Sequence, residues 1–325
     1  MMKHLMRKET GIFVLLVVLC AASALKNPLF LSGENLQNLA RLIGLYGIFS
    51  IGSGLVIITG GIDLSVGSMF ALLGVLLAIM LNDKHWPPAL AIVLTLVAGT
   101  LLGVLHGFLI TKVKLQAFIV TLCGLLFYRG AARFISKDET KGFGDSKGFE
   151  WLRDYATGKV FGLPTPFIVL IFVAIITGIV LHRSVYGRHL FAAGRNEDAA
   201  RYSGINTARV IGSTYVIAGF LAAVSGILIA FYTNSISPSS HGNFYELYGI
   251  AAAVLGGCSL RGGEGTIVGI LLGTILLQVL QNLVNLLGID SSLNFAVMGA
   301  VILIGVLADQ LLTKRAASRR AAKPA

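Results

Sequence analysis

Charge is what this chain has least of. Asp, Glu, Lys and Arg make up 13% of its 325 residues and apolar types 55%, with a mean hydropathy of +0.82. Soluble domains carry nearer a quarter charged residues, so the composition excludes a sizeable soluble domain and points to a membrane protein. Cysteine is scarce as well: Cys20, Cys123 and Cys258 each stand alone in apolar or glycine-rich sequence. That excludes a paired disulfide framework or a cysteine metal site and leaves them as small packing residues. The six histidines, among them His85, His182 and His241, are scattered without metal-ligand spacing, and no catalytic constellation accompanies them. Neither a metal site nor enzyme activity is therefore expected. Also missing is the phosphate-cradling loop G-x-x-x-x-G-K-[ST]; "TGKV" at 157–160 has neither the earlier glycine nor the hydroxyl residue after lysine. ATP, if it powers this chain, is hydrolysed elsewhere.

What the chain does have is long apolar runs. Crossing a bilayer takes about 20 helical residues, and such stretches recur near 11–25, 40–59, 64–81, 89–111, 116–135, 163–182, 209–233, 244–258, 265–287 and 292–312. Lipid-exposed backbone must be helical or a closed barrel, and these runs are far too long for barrel strands. The expectation is an all-α, polytopic bundle of about ten transmembrane helices forming one domain over 1–325. Lys3, Arg7 and Lys8 before "GIFVLLVVLCAASAL" fit an uncleaved first helix; a signal peptide cleaved after Ala22-Ser23-Ala24 is the alternative. Leu19 before Cys20 argues against a lipoprotein site. The formal charge of +11 reads as loop orientation rather than nucleic-acid binding. Ten spans place the N-terminal cluster, Lys112 and Lys114, the basic insert at 183–208 with the adjoining Arg209, and the basic tail 313–325 on one side, which the positive-inside rule makes the cytoplasm. The same topology puts the loop 136–162, with five basic and five acidic residues, on the outside.

Two glycine ladders, "GTLLGVLHG" at 99–107 and "GTIVGILLG" at 265–273, line single helix faces where a neighbouring backbone can approach closely. With helices 2–5 and 7–10 as the two halves, the ladders run in opposite directions, as inverted repeats require; coincidence is the alternative, since such ladders are frequent in membrane helices. His106, inside the first ladder, reads as a hydrogen-bonded packing residue rather than a ligand. Asp63, flanked by Gly60, Gly61 and Gly67, lies where membrane depth demands a partner or a wet cavity. It and Ser65 read either as a polar pathway or as a structural cap, with Asp63 accepting backbone N–H bonds at the start of the third helix. The glycine-rich turn around Ser259 carries the same ambiguity, and the short eighth helix reads as re-entrant or broken. Gln278, Gln281, Asn282 and Asn285 share one helix face. Such amides either bond between helices or line a pathway for a hydroxyl-bearing solute.

Between two apolar runs sits "AAGRNEDAARYSGIN", 192–206, which spells a two-turn helix: Asn196 as cap, Glu197 and Asp198 in the first turn, Arg201 in the last and Gly204 closing it. A helix so short is marginal alone, so it needs a docking surface on its own membrane domain or on another protein; a solvated loop is the plainer alternative. The wider stretch "YGRHLFAAGRNEDAARYSGIN" (186–206) resembles the signature of permease subunits of ATP-driven importers for ribose and related sugars. The stretches "TGGIDLSVGSMFALLG" (59–74), "KLQAFIVTLCGLLFYRGAA" (114–132), "LPTPF" (163–167), "AAAVLGGCSLRGGEGTIVG" (251–269) and "NLLGIDSSLNFAVMGAVILIGVLAD" (285–309) resemble the same family in the same order.

That resemblance implies a bacterial inner-membrane, multi-pass permease with cytoplasmic termini and no cofactor of its own. It implies three partners: a cytoplasmic ATP-binding-cassette ATPase, an extracytoplasmic sugar-binding protein and a second permease subunit, identical or paralogous. It also implies that Gly187, Arg188, Gly194, Arg195, Asn196, Glu197, Ala199, Ala200, Gly204 and Ile205 make the coupling contact with the ATPase. On that reading Gly194→Trp or Ala199→Glu spares folding and abolishes coupling. Competing readings are an ion-coupled secondary transporter, a permease for a non-sugar cargo such as branched-chain amino acids and, more weakly, an intramembrane enzyme.

Overall fold

A computed structural model describes residues 2–144 and 148–290, with isolated positions between 293 and 303. The expected helix at 292–312 and the basic tail 313–325 therefore fall outside the described residues. The helices in chain order are α1 Met2–Lys26, α2 Gly33–Ile58, α3 Val66–Ala78, α4 Pro88–Thr111, α5 Ala117–Ser136, α6 Glu150–Thr157, α7 Thr165–Arg183, α8 Val185–Arg195, α9 Glu197–Tyr202, α10 Thr207–Thr233, α11 Tyr245–Leu255 and α12 Ile267–Leu286. Among the described residues, eight helices are long and apolar enough to cross a membrane, and α11 is a shorter apolar helix. Each of the nine expected spans that falls within the described residues thus has a helical counterpart.

Local chemistry sets the helix ends. Ser32, Ser184, Asn196, Asn206 and Thr266 each accept a backbone N–H of the following first turn, starting α2, α8, α9, α10 and α12. α2 stops at Thr59, after which Gly60 is left-handed at φ +81°. α10 stops the same way at Asn234, φ +54°. α5 ends at the left-handed Lys137, where the Arg133 guanidinium grips both Asp138 carboxylate oxygens at 2.9 and 2.7 Å. Those bonds hold the Asp138 carboxyl below its usual range.

Two faces emerge from the contacts. On one, Glu9 accepts a hydrogen bond from Thr266, Lys114 pairs with Glu197 at 3.8 Å, and Gly263 N–H donates to the Ile58 carbonyl at 2.8 Å. This face gathers the N-terminal segment, the α4–α5 turn, the insert and the glycine-rich turn before α12. On the opposite face Asn27 bonds to the Leu286 carbonyl and Arg41 to that of Thr157. There the strands Lys141–Gly142 (β1) and Ser235–Ile236 (β4) pair antiparallel, as do Lys159–Val160 (β2) and Leu163–Pro164 (β3). The described parts of the loop 136–162, residues 136–144 and 148–162, thus lie at the opposite ends of the helices from the insert.

The core is built around α2 and α10, the most buried of the long helices at 83% and 78% of their spans. They pack on each other; α2 also packs on α11 and α12, and α10 on α3 and α4. Exchanging α2–α3–α4 for α10–α11–α12 maps this pairing onto itself, the pattern expected of inverted repeats. The two glycine ladders, however, face different neighbours. Gly99, Gly103 and Gly107 press on α10, where a Cβ on Gly103 would overlap the Tyr215 carbonyl and one on Gly107 would lie 2.7 Å from the Gly212 carbonyl oxygen. In the second ladder Gly265 precedes its helix, while Gly269 and Gly273 press on α11 and its C-terminal end, at the carbonyls of Gly256 and Ala252. The two ladders thus do not correspond under that exchange of helices.

This packing yields a direct check. Gly103→Val must push α4 off α10, and overpacking of this kind costs about 1–3 kcal/mol. Gly130 on α5 has open space around it, so Gly130→Val should leave stability unchanged. Thermal unfolding of the detergent-solubilised chain should show a lowered midpoint for the first variant only.

Candidate functional site

The insert folds as two helices where the sequence indicated one. α8 continues from α7 through Ser184, whose hydroxyl accepts the Gly187 N–H at 3.1 Å. α9 matches expectation closely: Asn196 Oδ1 accepts the Ala199 N–H at 2.9 Å, Arg201 pairs with Asp198 at 2.7 Å, and Gly204 is left-handed at φ +85°. Six residues of helix do not hold themselves in water. α9 is held by Glu197, which accepts from Thr207 Oγ1 at 3.1 Å and pairs with Lys114, and by the buried Ala200.

The residues expected to contact the ATPase therefore divide by direction. Gly187 turns against the Leu181 carbonyl, Gly194 against the Ile58 carbonyl and the Gly263 N–H, and Ala200 into the protein. Glu197 and Ile205 are half-buried. Arg188, Arg195, Asn196, Ala199 and Gly204 are exposed, beside Arg201 and a Tyr202 that is 86% exposed. One expectation needs correction: Gly194→Trp does not spare folding, because no side chain fits between α8 and the end of α2. Ala199→Glu, on the open face, keeps its expected character.

The chain between α2 and α3 is unwound over 59–65, and Asp63 and Ser65 within it are buried. Asp63, buried, accepts both the Ser65 N–H at 2.9 Å and the Ser65 hydroxyl at 2.7 Å. The cap reading needs correction: the N-cap of α3 is Ser65, which makes no side-chain cap bond, and Asp63 closes an Asx-type turn onto Ser65 just before the helix instead of accepting from its first-turn N–H groups. Thr121 Oγ1 on α5, whose nearer acceptor is the Ala117 carbonyl of its own helix at 2.9 Å, also lies 3.3 Å from the Ile62 carbonyl and packs α5 against the segment. Sequence reasoning missed what surrounds it. The buried His106 and Tyr128 are hydrogen-bonded, Nε2 to hydroxyl, at 2.8 Å. Gly124 packs on His106 and Ser65, and the buried Tyr215 hydroxyl, with no partner among the described residues, abuts Gly61. The only signal for this cluster was His106 in the glycine ladder, and its packing role there holds.

A second unwound segment, 234–244, leads into α11 from the other face. Its Gly242 meets Gly67 in the first turn of α3, where the Glu246 carboxylate also lies. Arg129 on α5 donates to the carbonyls of Pro238 at 3.1 Å and His241 at 2.7 Å, fixing this segment. α11 is thus the broken helix that its shortness indicated.

The remaining pathway candidates are not brought together. Ser259 builds the turn on the insert face: its N–H reaches the Glu264 carbonyl at 3.1 Å and its hydroxyl accepts from Arg261 N–H at 3.2 Å. Asn282 forms a reciprocal amide pair with Asn35 on α2, at 2.7 and 3.1 Å, so it bonds helix to helix. Asn285 is exposed near the opposite face. Gln278 is different: it is fully buried and both its amide atoms lack partners among the described residues. No group of three or more potential metal ligands occurs among the described residues.

Comparison with known proteins places this architecture. Residues 35–306 match the family described as "Branched-chain amino acid transport system / permease component". The chain is 40% identical over 301 residues to the ribose import permease protein RbsC of Bacillus subtilis (strain 168), covering 92% of this chain and 91% of that one. It is 36% identical over 307 residues to the ribose import permease protein RbsC of Escherichia coli (strain K12), covering 94% and 95%. It is 32% identical over 343 aligned positions to the xylose transport system permease protein XylH of Escherichia coli (strain K12), covering 88% and 87%. With its polytopic helical bundle and these relatives along nearly its whole length, the chain belongs to the branched-chain amino acid transport system permease family and is a transport component rather than an enzyme.

Proposed function

We propose that this chain is the membrane-spanning subunit of an ATP-binding-cassette importer that receives a monosaccharide from an extracytoplasmic binding protein and passes it inward. The observation that carries this reading is near full-length identity of 32–40% to permeases named for ribose and xylose import. That identity favours a pentose-type cargo over the amino acids in the broader family description. The insert face is cytoplasmic on this reading, in a bacterial inner membrane, because the basic residues of the insert and of the α4–α5 turn lie on it. ATP is bound and hydrolysed by a partner, and the chain itself holds no cofactor. A second permease subunit, identical or paralogous, completes the pathway.

α9 supplies the coupling surface. Ala199 on α9, with Arg195 at the end of α8, Asn196 at the joint and Gly204 just beyond α9, is exposed around a helix that its own protein steadies through Glu197 and Ala200. Gly187 and Gly194 serve by letting α8 sit flush on the membrane body. Asp63 and Ser65 shape the pathway by holding the unwound segment, and Gln278 is the amide left free for a solute hydroxyl.

Transport in proteoliposomes tests the energy source. Ribose uptake should require ATP inside, the partner ATPase and the binding protein; uptake driven by an ion gradient with the permease alone would refute the proposal. Ala199→Glu should leave expression and thermal stability at wild-type levels while abolishing ATPase recruitment measured by co-purification. Gly194→Trp should instead lower the yield of folded chain. Asp63→Ala removes the acceptor of two buried bonds from Ser65 and should cost about 1–3 kcal/mol, the range for leaving a buried donor unpaired. Asp63→Asn, which keeps one acceptor oxygen, should recover most of that loss in the same thermal assay. A stable Asp63→Ala variant with altered sugar preference would make Asp63 a selectivity residue instead.

A further inference from the structure

A groove of about 240 Å³ runs between α7 and α10 with Leu55 of α2 as its floor. Its walls include Phe172, Ile176 and Val180 on one side and Ile217 and Phe220 on the other, and it is lined by carbon. Phe172, Ile176 and Phe220 are 65%, 44% and 42% exposed, so none of the described residues closes it. Along α7 it extends from Phe172 to Leu181, roughly 14 Å at the helical rise per residue. That is about half of a bilayer's hydrocarbon thickness of roughly 30 Å, the depth of one leaflet.

The groove ends toward the insert at Tyr186, whose hydroxyl is hydrogen-bonded to Ser213 Oγ at 2.8 Å. Here the chemistry changes from apolar to basic. Arg183 lies three residues beyond Val180 on α7, and Arg209 lies one turn before Ser213 on α10. Both are exposed, and neither guanidinium pairs with an acidic side chain among the described residues. A one-leaflet apolar channel with two unneutralised cations and two hydroxyls at its polar end is complementary to a single amphiphile carrying an anionic head.

We propose that this groove binds an anionic phospholipid from the leaflet on the insert side, one acyl chain lying between α7 and α10 and the phosphate held at Arg183 and Arg209. The assignment does not depend on the cargo or on the ATPase. A lipid bound here touches Tyr186 of α8, and so steadies the joint between the membrane body and the insert.

The full-length chain in phosphatidylcholine nanodiscs, doped with phosphatidylglycerol bearing a photoreactive acyl chain, tests this by cross-link mapping. The label should map to the α7 and α10 groove peptides in preference to the same label carried on phosphatidylcholine, roughly fivefold for each arginine near an anionic head. Arg183→Gln with Arg209→Gln, both at exposed positions, should reduce phosphatidylglycerol labelling to the phosphatidylcholine level. Ile217→Trp should fill the groove and suppress both labels. Equal labelling by the two lipids in the wild-type chain would reduce the groove to ordinary lipid contact and overturn the proposal. A Phe220→Cys chain that forms cross-links between copies, with no lipid label on the groove, would overturn it in favour of a subunit interface.

Discussion

Hydrocarbon offers no partner to an unpaired N–H or C=O, and this constraint governs the architecture. The chain twice departs from helix between its apolar helices, over 59–65 and 234–244, running inward from opposite faces, and protein groups pair with each segment. In the first segment Asp63 takes up the Ser65 N–H, and Thr121 Oγ1 approaches the Ile62 carbonyl to 3.3 Å. Arg129 takes up the Pro238 and His241 carbonyls in the second. The segments lead into helices whose starts abut at Gly67 and Gly242, so each broken helix buries the beginning of the other. The surrounding helices follow from the need to cover this junction: α2 and α10 as the buried central pair, α4 and α5 as its wall.

Much of the architecture was legible because membrane helices announce themselves by length and apolarity. The chemistry of their ends was legible too, since Asn196, Glu197, Asp198, Arg201 and Gly204 perform the tasks their types suit. What could not be read was direction. Gly187, Gly194 and Ala200 sit in the same motif as Arg195 and Ala199, yet the first three turn inward and the other two outward. Nothing in a linear string distinguishes a glycine that must touch a partner from one that must touch its own backbone. The second ladder misled for the same reason: its spacing matches the first, but its neighbour is α11 and not α2.

The polar cluster beside Asp63 shows a different limit. His106, Tyr128 and Tyr215 come from three helices, α4, α5 and α10, and no local pattern links them. Their association depends on α4 reaching α10 closely enough for Gly103 to touch the Tyr215 carbonyl. The glycines, not the polar residues, carried the readable signal. Gln278 and Asn282 make the complementary point, because they share one helix face but have opposite fates: Asn282 is fully paired with Asn35, and Gln278 is left with no partner among the described residues.

These features meet at one place. The end of α8 rests through Gly194 on the Ile58 carbonyl, and Gly263 donates to that same carbonyl. Ile58 is the last residue of α2, and the unwound segment that Asp63 organises begins one residue later. On the proposed reading, a partner that moves α9 moves α8, and α8 bears directly on the hinge between α2 and α3. Backbone-to-backbone contact transmits such a displacement with little loss, since no flexible side chain intervenes. The same contact explains why glycine stands at 194 and at 263: a side chain at either position would insert slack or strain at the point where the insert meets the broken helix.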